Sequence, residues 1–374
     1  MKNRIYKYFF LEFTRYFTVI LFALTAVIWT IQAVNFLDLV TDDGHAFRVY
    51  LLYSLLTVPK ILTKLIPFSF LLASILTILK LEKDNELIIL WSSGLNKIHI
   101  VNLIFRISLL IMFLQLFMTN IVTPEILNIS RTLLKNSELQ FVPSLLKQKE
   151  FNDTVEGLTI FVDKKYDNGK YENIFIRDDR NVLTKVSSIS STIFAKSGYV
   201  SEDEKNLILL DGNIQKLTEN GEVNIIKFER TALNLSGLST KSISEPKVQE
   251  TSSLLMIKCM QDKNKNTRNC DRHKKENRDT RIELNKRFGI PIFIPLIALI
   301  ACFLLSSRKW KKNSGFHKYL YGFIGVAILI YSEITVRYSG ISLTHAATYY
   351  LTPIGLLPLV YFFLLRTFKY ENLS

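Results

Sequence analysis

The sequence predicts an α-helical membrane protein: six transmembrane helices in two blocks of three, with an all-β domain inserted between the blocks. Three observations predict it. Six apolar runs approach the about 20 residues of helix that cross a hydrocarbon core roughly 30 Å thick. The stretch from Thr123 to Lys286 holds no run of that length. Inside it, short runs rich in Ile, Val and Phe alternate with Asn-Gly and Asp-Gly turn signals. Hydrophobic residues make up 48 % of the 374-residue chain. That average looks ordinary only because the polar middle dilutes the spans.

The first span is expected over Tyr16–Phe36 and contains Trp29. A short acidic connector follows, with Asp38, Asp42, Asp43 and Gly44. The second span, Val58–Leu81, opens at Pro59 and is expected to bend near Pro67. The third, Val101–Val122, is expected to stop at Thr123-Pro124. Phe288–Leu305, Leu320–Val336 and Tyr349–Leu365 form the second block. Met1–Arg15 is basic, but the apolar run behind it is too long for a secretory signal and lacks a small-residue cleavage site.

Charge placement gives the orientation. The formal net charge is +14, and the bases sit beside the spans rather than in a soluble recognition domain. A membrane surface, not nucleic acid, is therefore the expected partner. Lys2, Arg4, Lys7 and Arg15 face Glu12 alone at the N-terminus. The loop Ser306–Lys318 carries Arg308, Lys309, Lys311, Lys312 and Lys318 with no acid. The tail adds Arg366 and Lys369 against Glu371, whereas Leu37–Thr57 is net acidic and Arg337–Thr348 nearly neutral. Excess Lys and Arg in short loops marks the cytoplasm, so both termini are expected inside and the middle domain outside. The basic run Lys263–Arg287 belongs to a long translocated segment, which that rule largely exempts.

The inserted domain reads as strands at Gly157–Val162, Asn173–Arg177, Thr192–Ala195, Asn206–Leu210 and Val223–Glu229. Turn signals at Asp167-Asn168-Gly169, Ser197-Gly198, Asp211-Gly212-Asn213 and Glu219-Asn220-Gly221 separate them. Such spacing indicates an antiparallel sandwich or roll, with an interior able to take acyl chains and edge strands able to pair with a neighbouring domain. Ile160 and Val162 share a face of the first strand and are candidate lipid contacts. Strand order is not legible.

Nothing in the chain points to catalysis. A phosphate-binding G-x-x-x-x-G-K-[ST] loop, H-E-x-x-H and G-x-S-x-G do not occur, and the five histidines are scattered. No cofactor or metal is expected, since His273 with Cys259 and Cys270 lacks a fourth zinc ligand. Cys259 and Cys270 lie where a disulfide is chemically allowed. Cys302 sits in an apolar segment as inert packing.

Two sets of residues carry functional interest. Between the second and third spans, Asp84 or Asn85 can cap a short helix beginning at Glu86, with Leu87, Ile88, Leu90 and Trp91 as its apolar set. Ser92-Ser93-Gly94 ends it, glycine being the common left-handed stop. A short amphipathic cytoplasmic helix of this kind either inserts into a nucleotide-binding partner or lies on the headgroups. The second set is charge inside the membrane, which is costly and by default functional. Lys60 and Lys64 lie one turn apart, and either contact lipid phosphate or snorkel to the interface. Glu333 and Arg337 have the same spacing and are expected to form a structural ion pair. Arg287, at the outer mouth of the fourth span, either binds a phosphate or anchors its helix.

Residues 84–94 resemble the coupling helix of the LptF/LptG (YjgP/YjgQ) lipopolysaccharide-export permeases, an acid-led helix ending in small-small-Gly. Glu86 falls on the acidic position, Gly94 on the glycine, and Leu95-Asn96-Lys97 on the segment after it. Glu283-Leu284-Asn285-Lys286-Arg287 is similar to the family's Glu-Leu-x-x-Arg opening of the fourth span, and Gly157–Val162 with Asn173–Ile176 to its first jellyroll strands. The resemblance covers nearly the whole chain. It implies transmembrane blocks at 1–122 and 287–374 around a periplasmic β-jellyroll-like domain with linkers at 123–286. It implies a multi-pass protein of the bacterial inner membrane and an ABC transporter permease subunit rather than an enzyme, with ATP hydrolysed elsewhere. Glu86, Leu87, Trp91 and Gly94 would contact the ATPase; Lys60, Lys64, Arg287, Ile160 and Val162 would contact lipid. The implied partners are an LptG-like second permease, an LptB-like ATPase dimer, an LptC-like single-span adaptor, lipopolysaccharide and membrane lipids.

Ser144–Phe151, leading into the first strand, is more like the LptF subunit, and the Gly-x-Trp pattern of LptG does not occur. Where the family often carries bases near the outer end of the first span, this chain has Gln32, Asn35 and Asp38. Two alternatives stand beside this reading. A lipoprotein-releasing permease places its outer domain after the first of four spans, which six spans disfavour. A membrane-anchored periplasmic binding or scaffold protein without transport would differ by showing no ATPase partner.

Overall fold

The computed structural model describes residues 2–41, 46–136, 146, 148–153, 157–166, 169–179, 190–201, 206–217, 223–234, 248–261, 273–306 and 314–371. The chain forms two compact units. One comprises Met1–Thr30, Thr57–Leu127 and Val248–Ser374; the other comprises Ile31–Leu56 and Asn128–Lys247. The acidic connector's Asp42, Asp43 and Gly44, Ser144, Leu145 and Lys147 of the Ser144–Phe151 lead-in, Cys270, and the bases at 308–312 fall outside the described residues, as do the turns at 167–168 and 219–221.

Before the sheet run α1 (Lys2–Asn35), α2 (Asp38–Thr41), α3 (Phe47–Leu56), α4 (Val58–Lys83), α5 (Glu86–Ser92), α6 (Lys97–Phe117) and α7 (Thr123–Asn136). After it come α8 (Ser253–Gln261), α9 (His273–Cys302), α10 (Ser314–Tyr338) and α11 (Leu343–Glu371). Six stretches are long and apolar enough to cross a membrane: Arg4–Val40, Phe47–Lys83, Lys97–Leu134, Arg278–Leu305, Tyr319–Tyr338 and Leu343–Lys369. Three precede the sheet and three follow it, as the sequence predicts.

The first three run to 37, 37 and 38 residues. A hydrocarbon core roughly 30 Å thick needs only about 20 residues of helix. Two expectations are corrected here. Leu37–Thr57, read as a loop, contains the apolar helix α3, separated from α4 by Thr57 alone. The third span does not stop at Thr123-Pro124; it passes through a π-helical turn, Met118–Val122, into α7. Pro124 stands second in α7, directly after the π turn, whose i→i+5 bond from the Thr123 amide to the Met118 carbonyl already shifts the ladder just before its missing N–H.

The unit made mainly of spans has α9 at its centre. The apolar window of its span is 78 % buried, against 17 % for the first, fifth and sixth. α9 packs on α6, α10, α11 and α4. The main core joins Phe13, Phe70, Ile100, Ile297 and Phe368, with the Phe13 and Phe70 rings edge-on at 5.3 Å.

In the other unit the strands are β1 (Phe151–Asn152), β2 (Leu158–Lys165), β3 (Lys170–Asp178), β4 (Ser190–Val200), β5 (Asn206–Leu217) and β6 (Val223–Asn234). They form one antiparallel sheet in sequence order. Registers align Ile160, Ile176, Ile193 and Ile214 on one face and Phe151, Phe161, Phe175 and Phe194 on the other. The isoleucine face builds the core, together with Val162, Leu207 and Leu209.

Strict alternation slips once. In β3, Tyr171 and Ile174 are both buried with Glu172 and Asn173 between them; in β4 the same holds for Ala195 and Gly198. Pairing sums stay constant across this line, so register is kept while the inward phase shifts. Asn173 (φ 52°) and Asp211 (φ 49°) supply left-handed backbone in alternate strands. Beside Asp211, Gly212 leaves room for its neighbours, since a Cβ there would stand 2.2 Å from the Phe194 carbonyl oxygen.

Candidate functional site

Two adjoining cavities lie among the spans. The larger, of 760 Å³, is bounded by α4, α9 and α10, with an apolar floor of Pro67, Phe68, Ile290, Leu329 and Ile330. Its charged lining is Lys64, Arg278, Glu333 and Arg337. The smaller, of 70 Å³, is lined by Lys60, Lys64, Gln115, Thr119, Glu283, Lys286, Arg287 and Glu333. Lys64, Ile290 and Glu333 belong to both.

The electrostatics are one-sided. Six cations (Lys60, Lys64, Arg278, Lys286, Arg287, Arg337) and two acids (Glu283, Glu333) line the pair of cavities. Both acids are already engaged: Glu333 Oε2 is 3.0 Å from Lys286 Nζ, and Glu283 Oε1 is 3.1 Å from Arg287 Nε. Positive charge beside an apolar floor suits an amphiphile with an anionic head.

The expected Glu333–Arg337 pair along one helix is replaced by a pair between helices, Glu333 of α10 with Lys286 of α9. Two packed helices bring these tips closer than the i,i+4 spacing does, and Arg337 is left lining the larger cavity. Lys60 and Lys64 lie together as the spacing predicts, both on the smaller cavity.

Arg287 is 4 % exposed. Beyond Glu283, its guanidinium donates to the Thr251 carbonyl, Ser253 Oγ and the Gln249 carbonyl, each at 2.9 Å. Ser253 donates on to Asn120 Oδ1 in the π turn, and Thr119 donates to the Arg287 carbonyl at 3.2 Å. Four of the five guanidinium donors are thus spent within the chain, three of them fastening the segment after the sheet to α9 and one on Glu283 of the same helix. Of the two readings open for Arg287, the geometry matches the anchor. Gln115, 2 % exposed, ties α6 to α4 through the Thr63 carbonyl at 2.9 Å.

Arg278 and Lys286 do not stand out from the sequence as cavity residues. Arg278 sits in the basic run Lys263–Arg287 and is indistinguishable there from its neighbours until α9 gives it a face.

At the opposite end of α4, the short helix α5 forms as predicted over Glu86–Ser92. Asn85 stands at its N-cap in left-handed backbone (φ 58°) and makes no side-chain cap bond, which corrects the capping expectation. Gly94 (φ +81°) supplies the left-handed stop, and Asn96 caps α6 by accepting from the Ile98 amide at 3.1 Å. Leu87 is buried and Leu90 and Trp91 pack on the core, while Ile88 and Ile89 are each 64 % exposed. Glu86 accepts a hydrogen bond from the Tyr8 hydroxyl at 3.0 Å.

In the sheet unit, Ile160 is 2 % exposed and Val162 0 %. Both lie in closed packing, so a lipid chain reaches them only if the core parts. A hollow of 360 Å³ on the opposite face is lined by Phe161, Phe175 and Phe194 with Asn173, Lys196 and Asp211. Cys302 is buried and unpaired. The proposed partner of Cys259 lies outside the described residues.

Comparison with known proteins gives two findings. The family described as "Lipopolysaccharide export system permease LptF/LptG" matches residues 7–367. The uncharacterized protein RP871 of Rickettsia prowazekii (strain Madrid E) is 27 % identical over 239 residues, 63 % of this chain and 64 % of that protein. The chain thus aligns with a little under two thirds of that relative's length.

Proposed function

Because the chain belongs to the LptF/LptG family of lipopolysaccharide export permeases, we propose that it is a permease subunit that draws lipopolysaccharide out of the inner membrane toward a periplasmic bridge. The observation that carries this reading is the 760 Å³ cavity with an apolar floor and Lys64, Arg278 and Arg337 around it. Lipid A offers phosphates to the cations and acyl chains to the floor. Each buried CH₂ is worth about 0.8 kcal/mol, so moving several chains needs both an apolar path and an energy source.

The energy source is a separate ATPase dimer, and α5 is where it docks. Ile88 and Ile89 are an apolar pair presented on a helix whose other face is already packed, as a groove-binding helix requires. The working unit is then an F-like and a G-like permease with the LptB-like dimer and an LptC-like adaptor, and this chain is the F-like subunit. Both termini are cytoplasmic and the sheet unit periplasmic, by the distribution of Lys and Arg. Lys60 and Lys64 meet the lipid headgroup, with Arg278 and Arg337 joining them and Arg287 acting as an anchor. A scaffold without transport is disfavoured by the cavity's charge excess, which a passive anchor does not need.

Photocrosslinking from positions 60 and 64 in membranes tests this. Capture of lipopolysaccharide from either position supports it. Capture of phospholipid alone from both would reduce the lysines to interfacial anchors and remove the proposed substrate.

A further inference from the structure

The short helix α5 is covalently joined only to α4 and α6. Through Glu86 and through Lys97, the first residue of α6, it is tied to two further helices. At its leading end the Tyr8 hydroxyl of α1 donates to Glu86 at 3.0 Å. Four residues further along α1, Glu12 forms an ion pair with Lys80 in the last turn of α4, and Lys80 also lies over the Tyr16 ring at 6.0 Å. At the trailing end Lys97 is 6 % exposed, with its ammonium 5.6 Å from the Trp91 ring of α5 and 5.7 Å from the Phe368 ring of α11.

The position of Lys97 is unusual on physical grounds. It is the first residue of α6, where the helix dipole is positive and a cation is disfavoured. It is also nearly out of water, where an ammonium is costly. Two aromatic faces offset part of both penalties, and a desolvated cation beside rings is the strong form of that interaction. Phe368 is 0 % exposed, so the contact is made to a fixed point of α11.

We propose that Lys97 and Tyr8 are positioning residues of the exporter, which fasten the two ends of α5 to α11 and α1. A push on α5 then reaches four spans instead of two. Lys97 is the stiffer link, because both of its ring partners are packed; Tyr8, 45 % exposed, is the releasable one. This inference rests on α5 being the docking helix for the ATPase.

The test uses the whole exporter in proteoliposomes, with three readouts: ATPase subunit co-purified, ATP turned over, and lipopolysaccharide released per ATP. Lys97→Met is expected to keep co-purification and ATP turnover within about twofold while lipopolysaccharide released per ATP falls at least about fivefold, the factor that even a solvent-exposed cation–ring contact can reach. Lys97→Arg, which keeps the cation over the rings, should restore more than half of it. Phe368→Leu keeps Lys97 but removes the distant ring, and should reproduce the loss even if Lys97→Met is poorly produced. Tyr8→Phe should give a smaller fall in the same ratio. Unchanged release per ATP in Lys97→Met or Phe368→Leu would overturn the proposal. So would loss of the ATPase subunit in both, which would make the contact one of assembly only. Failure of the unmodified chain to hold an ATPase subunit is a different result and removes the docking role of α5 itself.

Discussion

Two regions of this chain could hold an acyl chain, and they differ in how ready they are. The cavity among the spans is already open: 760 Å³, apolar below and cationic around it. The sheet core is shut, with Ile160, Val162, Ile176, Ile193, Leu207 and Leu209 all at 2 % exposure or less. A preformed site needs binding energy only to hold its ligand. A closed core must first give up its own packing, and truncating one buried aliphatic side chain in such a core typically costs about 2–5 kcal/mol. If lipid passes through both, the first step is held by charge and the second needs work done on the protein. That is a physical reason for an ATP-driven machine to carry such a domain.

The largest expected effect breaks the closed side of the comparison. Val162→Asp places an unpaired carboxylate at a position of 0 % exposure, and should cost about 4 kcal/mol or more. The sheet unit should lose its protease-resistant fragment and its melting transition. Survival of both would mean that the core admits water, and the contrast with the cavity would vanish.

The next effect is on the open side. Replacing Lys64 and Arg337 together with Gln leaves the apolar floor and the Lys286–Glu333 pair in place. Lipopolysaccharide crosslinking within the cavity should fall by about tenfold or more, as loss of two charge-assisted contacts implies. Melting of the sheet unit should not change. An unaltered crosslinking yield would assign recognition to the acyl chains alone.

The two regions are legible in the sequence to different depths. The spans are readable because length and hydropathy are one-dimensional properties, and Gly94 because a left-handed stop depends on residue type. α3 escapes because the net acidity of Leu37–Thr57 marks it as a loop, although Val49–Leu56 is apolar apart from one serine. In the sheet, period-two alternation places Ile160 and Val162 on one face, and Ile193 and Phe194 on opposite faces. It cannot foresee the phase slip at Asn173 and Asp211, since that depends on four strands bending along one line. Lys60 and Lys64 stand out by their rarity inside a span. Arg278 and the Lys286–Glu333 pair do not, because their partners are distant in sequence and only helix packing brings them together. Arg287 shows the converse: a charge at a span's mouth invites a ligand role until four donors are seen to be spent within the chain.

The smallest expected effect measures how tightly the core is shut. Tyr171 is 3 % exposed at the end of the inward face, and burial raises its phenol above the ordinary value of 10.0. The Lys165 ammonium, 5.8 Å from the ring centroid, would favour the phenolate, so the upward direction means that desolvation wins. The sign of the pH dependence follows. A group that holds its proton more tightly when folded contributes stability in full below the unfolded value, and loses it as pH rises through the folded one. Stability of the sheet unit should therefore decline above pH 10, and Tyr171→Phe should flatten that decline. Tyr166 is the control, because its upward shift comes first from its hydrogen bond to Glu172 at an exposed position rather than from closure. Tyr166→Phe should leave more of the alkaline decline in place than Tyr171→Phe does. If the two variants behave alike, the hydroxyl of Tyr171 is reached by water in the native state. The inward face would then be ajar at that end before any lipid arrives, and the difference between the two regions would be one of degree.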